Sequence, residues 1–291
     1  MAVISIDRLS KSYGARVGVE AISLDVPEGA IFGFLGPNGS GKTTTIRVLM
    51  GLLRPTRGTA RVFGLDSWKD SHRIKADLGY LPGDLRLYPW LTLREGLRIF
   101  GAVRRRDLTA AGREHADEFG LDPTVRVRAM SRGMRQKLGL ILALVHQPRL
   151  LLLDEPTASL DPLMQENVYR RLRQFSADGR TVFLSSHTLS EVEQLCQRVA
   201  ILREGRVVMD DTIENLRSRA RRVVTIRWKG VAGTSTAIPP FLSLSERRDH
   251  TWRAELTGSS VELVRWSAEL PINDLSIEQP DLTKLFQTFY A

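Results

Sequence analysis

A chain of 291 residues that is 42% hydrophobic can bury a sizeable core, as one large domain or two smaller ones. Its single cysteine, Cys196, excludes an internal disulfide framework and points to a reducing cytoplasm, and its most apolar central run, Leu138–Val145, is far too short to span a bilayer. The net charge of +9, concentrated in the first 210 residues, suits polyanionic phosphates, an anionic membrane face or nucleic acid, and does not choose among them.

The N-terminal residues, Met1–Asp7, lack the basic region and long apolar core of a secretion signal. Residues 2–7 and 17–26 alternate apolar and polar, which predicts strands of an antiparallel sheet. Between them, Tyr13 can stack on a nucleotide base or serve as an ordinary surface or core tyrosine.

The apolar run Ala30–Leu35 predicts a buried strand, and Thr44–Leu53 is apolar at helical spacing. Gly36-Pro37-Asn38-Gly39-Ser40-Gly41-Lys42-Thr43 lies between them and fits G-x-x-x-x-G-K-[ST]. A glycine-rich turn with a solvated lysine is the alternative, but strand, glycine loop and helix together are what a phosphate site needs. The glycines let successive N–H groups point inward as an anion nest, and the helix N-terminus adds partial positive charge. Residues Gly36 to Thr44 are therefore expected to hold a triphosphate, with Lys42 on the outer phosphates and the Thr43 hydroxyl on magnesium.

A short strand is expected at 59–63, and Leu78–Trp90 reads as a turn-rich passage. Thr92 with Glu95 forms a capping box that opens a helix ending in Arg104-Arg105-Arg106. Further helices are expected at 109–120, closed by Gly120, and at 131–147, opened by Ser131 and stopped by Pro148.

Four leucines then run into Asp154-Glu155, the pattern of a central parallel strand delivering acids at its C-terminal edge. After a phosphate loop, Asp154 is placed to hold magnesium and Glu155 to orient the attacking water. A helix at 162–177 leads to the strand Thr181–Ser186 and to His187, which should emerge at the same edge and reach the γ-phosphate rather than merely cap a turn. A helix at 189–196 and strands at 198–203 and 206–210 complete the first domain. Composition shifts at 217–222; strand-like Val223–Trp228 and helical patterns at 261–268 and 281–289 predict a small α+β appendage.

These motifs, in this order, resemble the ATP-binding subunit of an ABC transporter over about residues 1–215. Tyr13 matches the aromatic loop that stacks adenine, Gly36–Thr43 the Walker A motif, Leu150–Asp154 Walker B and Glu155 the acid after it. Ser159-Leu160-Asp161 match the D-loop, His187 the switch histidine, and Met130–Gln136 the place of the family signature. Two departures stand out. Ser131 and Gly133 are kept, but Arg132 and Met134 replace the commonest glycine and glutamine. The Q-loop glutamine falls at Gly83, so either Asp84 substitutes or that contact is lost.

The resemblance implies an α/β fold: a P-loop ATPase domain, 1–216, with a mixed central sheet, an antiparallel β subdomain and a helical subdomain, followed by an α+β domain at 217–291. It implies ATP and Mg2+ as cofactors and a head-to-tail dimer, in which Ser131, Gly133 and Asp161 face the nucleotide held by the other copy. It also implies a separate membrane permease at the cytoplasmic face, export of a drug-, lipid- or polysaccharide-type substrate, and no nucleic acid. A soluble ATPase acting on nucleic acid would carry two ATPase units with a charged linker or a coiled-coil insertion, and neither is present. The missing N-K-x-D guanine motif argues against a GTPase, and Glu155 with His187 argues against a non-hydrolysing module.

Overall fold

A computed structural model describes residues 2–219, 222–230, 236–248 and 250–278. The chain divides after Thr212 into two compact units.

The first unit opens on a long hairpin, β1 (Ala2–Tyr13) and β2 (Arg16–Pro27). Its alternation buries Ile4, Ile6, Ile22, Leu24 and Val26. Tyr13 thus ends β1 instead of lying in a longer connection, because β1 runs on to pair Tyr13 with Arg16. Next come β3 (Ile31–Leu35), α1 (Lys42–Leu49), β4 (Arg57–Val62) and β5 (Leu65–Asp66). Strands β4 and β5 extend the hairpin into an antiparallel sheet of order β2-β1-β4-β5.

A one-and-a-half-turn helix, α2 (Ser71–Ala76), precedes β6 (Leu78–Leu81). Neither was expected. Residues 78–81 read as turn because glycine and proline crowd them, yet they pair in parallel with the leucine strand, Leu78 opposite Leu150. A distant partner overrides weak local preference here.

Helices α3 (Leu93–Arg104), α4 (Thr109–Phe119) and α5 (Arg132–Leu144) pack on one another. The Thr92–Glu95 capping box forms as expected, Gly120 closes α4 in the left-handed conformation, and Ser131 caps α5. Helix α5 ends at Leu144, short of the expected Gln147, which has turned to a positive φ of 53°.

The remaining elements are β7 (Leu150–Asp154), α6 (Pro162–Ala177), β8 (Thr181–Ser186), α7 (Leu189–Leu195), β9 (Arg198–Arg203) and β10 (Arg206–Thr212). They complete a six-stranded mixed sheet of order β10-β9-β3-β8-β7-β6, antiparallel only at β10. Strands β3, β7 and β8 are buried throughout, and Phe32 of β3 stacks on Phe183 of β8, with Phe34 tilted against the same ring. Because β8 lies between β3 and β7, Leu35 pairs with Ser186 and Asp154 with Ser185. Everything that follows these three strands therefore emerges at one sheet edge, where open α/β sheets place their ligands.

The second unit contains α8 (Ile213–Arg219), β11 (Arg222–Trp228), β12 (Leu242–Arg248), β13 (Thr251–Leu256), α9 (Ser260–Ser267) and β14 (Ile272–Ile277). Its antiparallel sheet has the order β12-β13-β11-β14. Trp228 and Trp252 meet edge to face at 4.8 Å within a core shared with Leu263. The helix expected at 281–289 lies outside the described residues. No helix among the described residues is long and apolar enough to cross a membrane.

Candidate functional site

The loop from Gly36 to Gly41 closes between β3 and α1, and two of its glycines, Gly39 and Gly41, have φ of 82° and 111°. At Gly41 a Cβ would stand 2.6 Å from the Gly18 carbonyl oxygen, so a side chain there is excluded on space as well as conformation. The Lys42 ammonium donates to the carbonyls of Gly36 at 2.7 Å and Pro37 at 3.1 Å, which folds it over the loop. Burial draws its pKa down from the ordinary lysine value, opposed by the negative charges of Glu155 and Asp154. The Ser40 hydroxyl, also in the loop, is buried without a partner among the described residues.

The Thr43 hydroxyl donates to Asp154 Oδ2 at 2.7 Å. Asp154 Oδ1 accepts a short hydrogen bond from the Ser185 hydroxyl, and both residues are buried. Among the described residues no cluster of three or more His, Cys, Asp or Glu could cage a metal. One hydroxyl and one carboxylate beside a phosphate nest nonetheless fit magnesium, which keeps several waters and binds through one or two carboxylates plus substrate phosphates.

Glu155 follows directly, in a left-handed backbone conformation with φ of 53°. Its N–H donates to the Ser185 carbonyl at 3.1 Å, and its Oε1 lies 3.2 Å from His187 Nδ1. The acid and the histidine expected from sequence are thus in contact beside Asp154. A cleft of about 410 Å³ runs along this edge, lined by Tyr13, Gly39, Lys42, Thr43, Thr44 and Glu155 among others. At its far end the Tyr13 hydroxyl is 3.5 Å from that of Thr44. Gly18 makes room for the ring: a Cβ there would be 2.9 Å from Tyr13 Cε2. The ring is half exposed, with the Lys11 ammonium 5.4 Å from its centroid.

Ser131, Gly133 and Asp161 do not line this cleft. Ser131 accepts the Met134 N–H at 3.2 Å, and Asp161 caps α6 by accepting the Met164 N–H at 2.9 Å. Gly133 lies under the D-loop, where a Cβ would be 3.0 Å from the Ser159 carbonyl oxygen.

At the Q-loop position, the backbone of Gly83 passes close to Asp154, and a Cβ would stand 3.2 Å from Oδ2. Asp84 turns away and pairs with Arg86 at 2.8 Å, with its side chain 67% exposed. Beyond it, Leu85 and Leu87 line a groove of about 770 Å³ with Phe100, Val103, Arg104 and His146. Tyr88 and Trp90 stack at 5.6 Å and stay exposed.

Sequence reasoning missed three supports. Ser185 holds Asp154, and its only signal was a serine closing an apolar strand. Buried Gln136 donates to the carbonyls of Glu155 and Pro156 at 3.2 and 2.9 Å. Buried Glu191 accepts the Thr157 hydroxyl at 2.6 Å; burial raises its pKa, opposed by bonds from Ser186 and Thr157.

A phosphate nest, a lysine, a threonine–aspartate pair and an acid–histidine pair on one edge of a mixed sheet define a P-loop nucleoside triphosphatase. The family model described as ABC transporter matches residues 19–158. The bacitracin transport ATP-binding protein BcrA of Bacillus licheniformis is 38% identical over 223 residues, 76% of this chain and 73% of its own. The linearmycin resistance ATP-binding protein LnrL of Bacillus subtilis (strain 168) is 32% identical over 302 residues, 98% of this chain and 97% of its own. A solved structure described as the ATP-binding subunit of an ABC transporter aligns with a TM-score of 0.69 at 30% identity, covering 75% of this chain and 92% of that one. The chain belongs to the ABC transporter family as an ATP-binding subunit, and it is an ATPase.

Proposed function

We propose that this chain powers export through a separate membrane permease, working at the cytoplasmic face as a head-to-tail pair with a second copy of itself. The observation that carries the reading is the meeting of Lys42, Thr43, Asp154, Glu155 and His187 at one edge, while Ser131 caps a helix outside that cleft. Two copies facing in opposite directions bring the Ser131 of each to the open side of the other's cleft. The names of BcrA and LnrL, bacitracin transport and linearmycin resistance, support a drug-like cargo.

In this reading Tyr13 stacks the adenine, and the amides of residues 36–44 with Lys42 hold the phosphates. Thr43 and Asp154 hold magnesium. Magnesium, when bound, neutralises charge on the outer phosphate oxygens. Glu155 accepts a proton from the attacking water as the bond to the terminal phosphoryl group breaks. His187, already against Glu155, fixes the carboxylate's orientation and reaches the terminal phosphate. Ser131 and the first amides of α5, with Gly133 and Asp161 beside them, close the site from the other copy.

The groove walled by Leu85, Leu87, Phe100 and Val103, with Arg104 and Arg106 at its rim, suits a short amphipathic cytoplasmic helix of the permease. Residues 217–291 act as an accessory domain.

Glu155→Gln tests the core of this account. The variant is expected to bind ATP, to run as a dimer on size exclusion with ATP and magnesium, and to turn over about 10²–10⁴-fold more slowly. A monomer with undiminished turnover would refute it.

A further inference from the structure

We infer that Gln136 is a positioning residue that couples the two nucleotide sites of the pair. It ties the helix carrying Ser131 to the backbone of Glu155 in the same chain. The inference rests on the head-to-tail pairing proposed above.

Gln136 lies on α5, little more than one turn beyond the Ser131 cap, and is only 8% exposed. A primary amide sits so deep in a protein only when hydrogen-bonded. Its Nε2 donates to the Glu155 carbonyl at 3.2 Å and to the Pro156 carbonyl at 2.9 Å. Both contacts fall on the two residues that start the catalytic loop.

The same helix approaches that loop a second time, since a Cβ at Gly133 would stand 3.0 Å from the Ser159 carbonyl oxygen. The loop cannot absorb a displacement by sliding. On one side the Glu155 N–H is bonded to the Ser185 carbonyl of β8. On the other the Thr157 hydroxyl is held at 2.6 Å by Glu191 of α7. Glu155 at the first anchor and Ser159 just past the second both sit at positive φ, 53° and 69°, a conformation that persists only where surroundings over-determine it. A rigid shift of α5 therefore bears directly on the peptide units that carry the Glu155 carboxylate.

In the pair, Ser131 of one copy reports on the nucleotide of the other. Gln136 passes that report to Glu155 of its own chain. Each site thus tunes the chemistry of its twin through two hydrogen bonds, without side-chain contact between the two carboxylates.

ATPase rate against ATP concentration tests this on the full chain, wild type beside Gln136→Glu, which keeps the shape but loses both donors, and Gln136→Met, which is apolar and of similar length. Wild type is expected to give a Hill coefficient above 1. Both variants are expected to give a coefficient of 1, with kcat lower by about ten- to a hundredfold as the carboxylate loses its placement, and ATP affinity by equilibrium titration within about twofold. Sigmoidal variants, even slower or less heat-stable ones, would reduce Gln136 to a local brace and overturn the coupling alone. A hyperbolic, monomeric wild type would overturn the pairing and the coupling with it.

Discussion

Ser185 makes the sharpest test of how the proposed magnesium-binding edge is assembled. Its hydroxyl donates to Asp154 Oδ1 while Thr43 donates to Oδ2, so two neutral donors fix the plane of one buried carboxylate. Ser185 is fully buried and Asp154 is 2% exposed, so no water takes over when the hydroxyl is removed. A hydrogen bond to a charged group of this kind contributes about 1.5–3 kcal/mol. In Ser185→Ala the carboxylate loses that restraint, and the apparent affinity for magnesium should fall roughly tenfold to 150-fold at 1.36 kcal/mol per decade. ATPase rate titrated against free magnesium at saturating ATP reads the effect. Nucleotide binding in EDTA is the control and should stay near wild type, because Lys42 and the loop amides do not depend on Ser185. An unchanged magnesium half-saturation would refute the reasoning. Equal losses with and without magnesium would show instead that Ser185 merely holds β8 against β7.

Tyr13→Ala should weaken ATP binding by about 1–3 kcal/mol, measured by calorimetry, with GTP and ATP losing similar amounts because stacking reads a ring and not its edge; unchanged affinity would return Tyr13 to a surface role. His146, buried in the groove wall against Arg104, has its pKa pushed down to about 4, first by burial and then by the Arg104 charge. The folded value lies below the unfolded one, so its contribution is complete above about pH 6.5 and is lost as pH falls toward 4. Denaturant titrations should show up to about 2 kcal/mol lost between pH 7 and pH 5 through His146, so the slope should be shallower in His146→Gln, where buried His115 still contributes; equal slopes would refute it.

What the chain declares in its sequence is what it keeps local. The nest from Gly36 to Thr43 is one uninterrupted run whose spacing is its geometry, and the Thr92–Glu95 box and the Ser131 cap close within single turns. The strand Leu150–Asp154 was legible because complete burial demands complete apolarity. What stayed hidden depends on distant neighbours. Strand β6 is a strand only because β7 lies beside it. Ser185 meets Asp154 across a sheet, and Gln136 and Glu191 grip the 155–158 loop from two different helices. Gln136 closes the signature stretch, but its contacts carry no mark in sequence, and a serine and a glutamate have no periodicity of their own. What surrounds the position of the absent Q-loop glutamine is likewise a matter of packing. Gly83 lies too near Asp154 to carry a side chain freely, and Asp84 is drawn off by Arg86.

The hidden contacts share a purpose. In the proposed mechanism a carboxylate must stand at the end of a strand, free to meet water yet closely fixed, and its own backbone preferences do not place it there. Glycine would relax the left-handed turn at position 155, but glycine has no carboxylate, so the strain of about 1–2 kcal/mol is unavoidable for any acid there. Strain at one residue can persist only if the surrounding bonds are more numerous than the degrees of freedom it must suppress. Ser185, Gln136 and Glu191 supply that excess from β8, α5 and α7. Of the three, α5 follows Ser131, the residue that the proposed pairing turns toward the other copy's nucleotide. On the proposed pairing, the element that follows Ser131 thus also supplies part of the rigidity at Glu155.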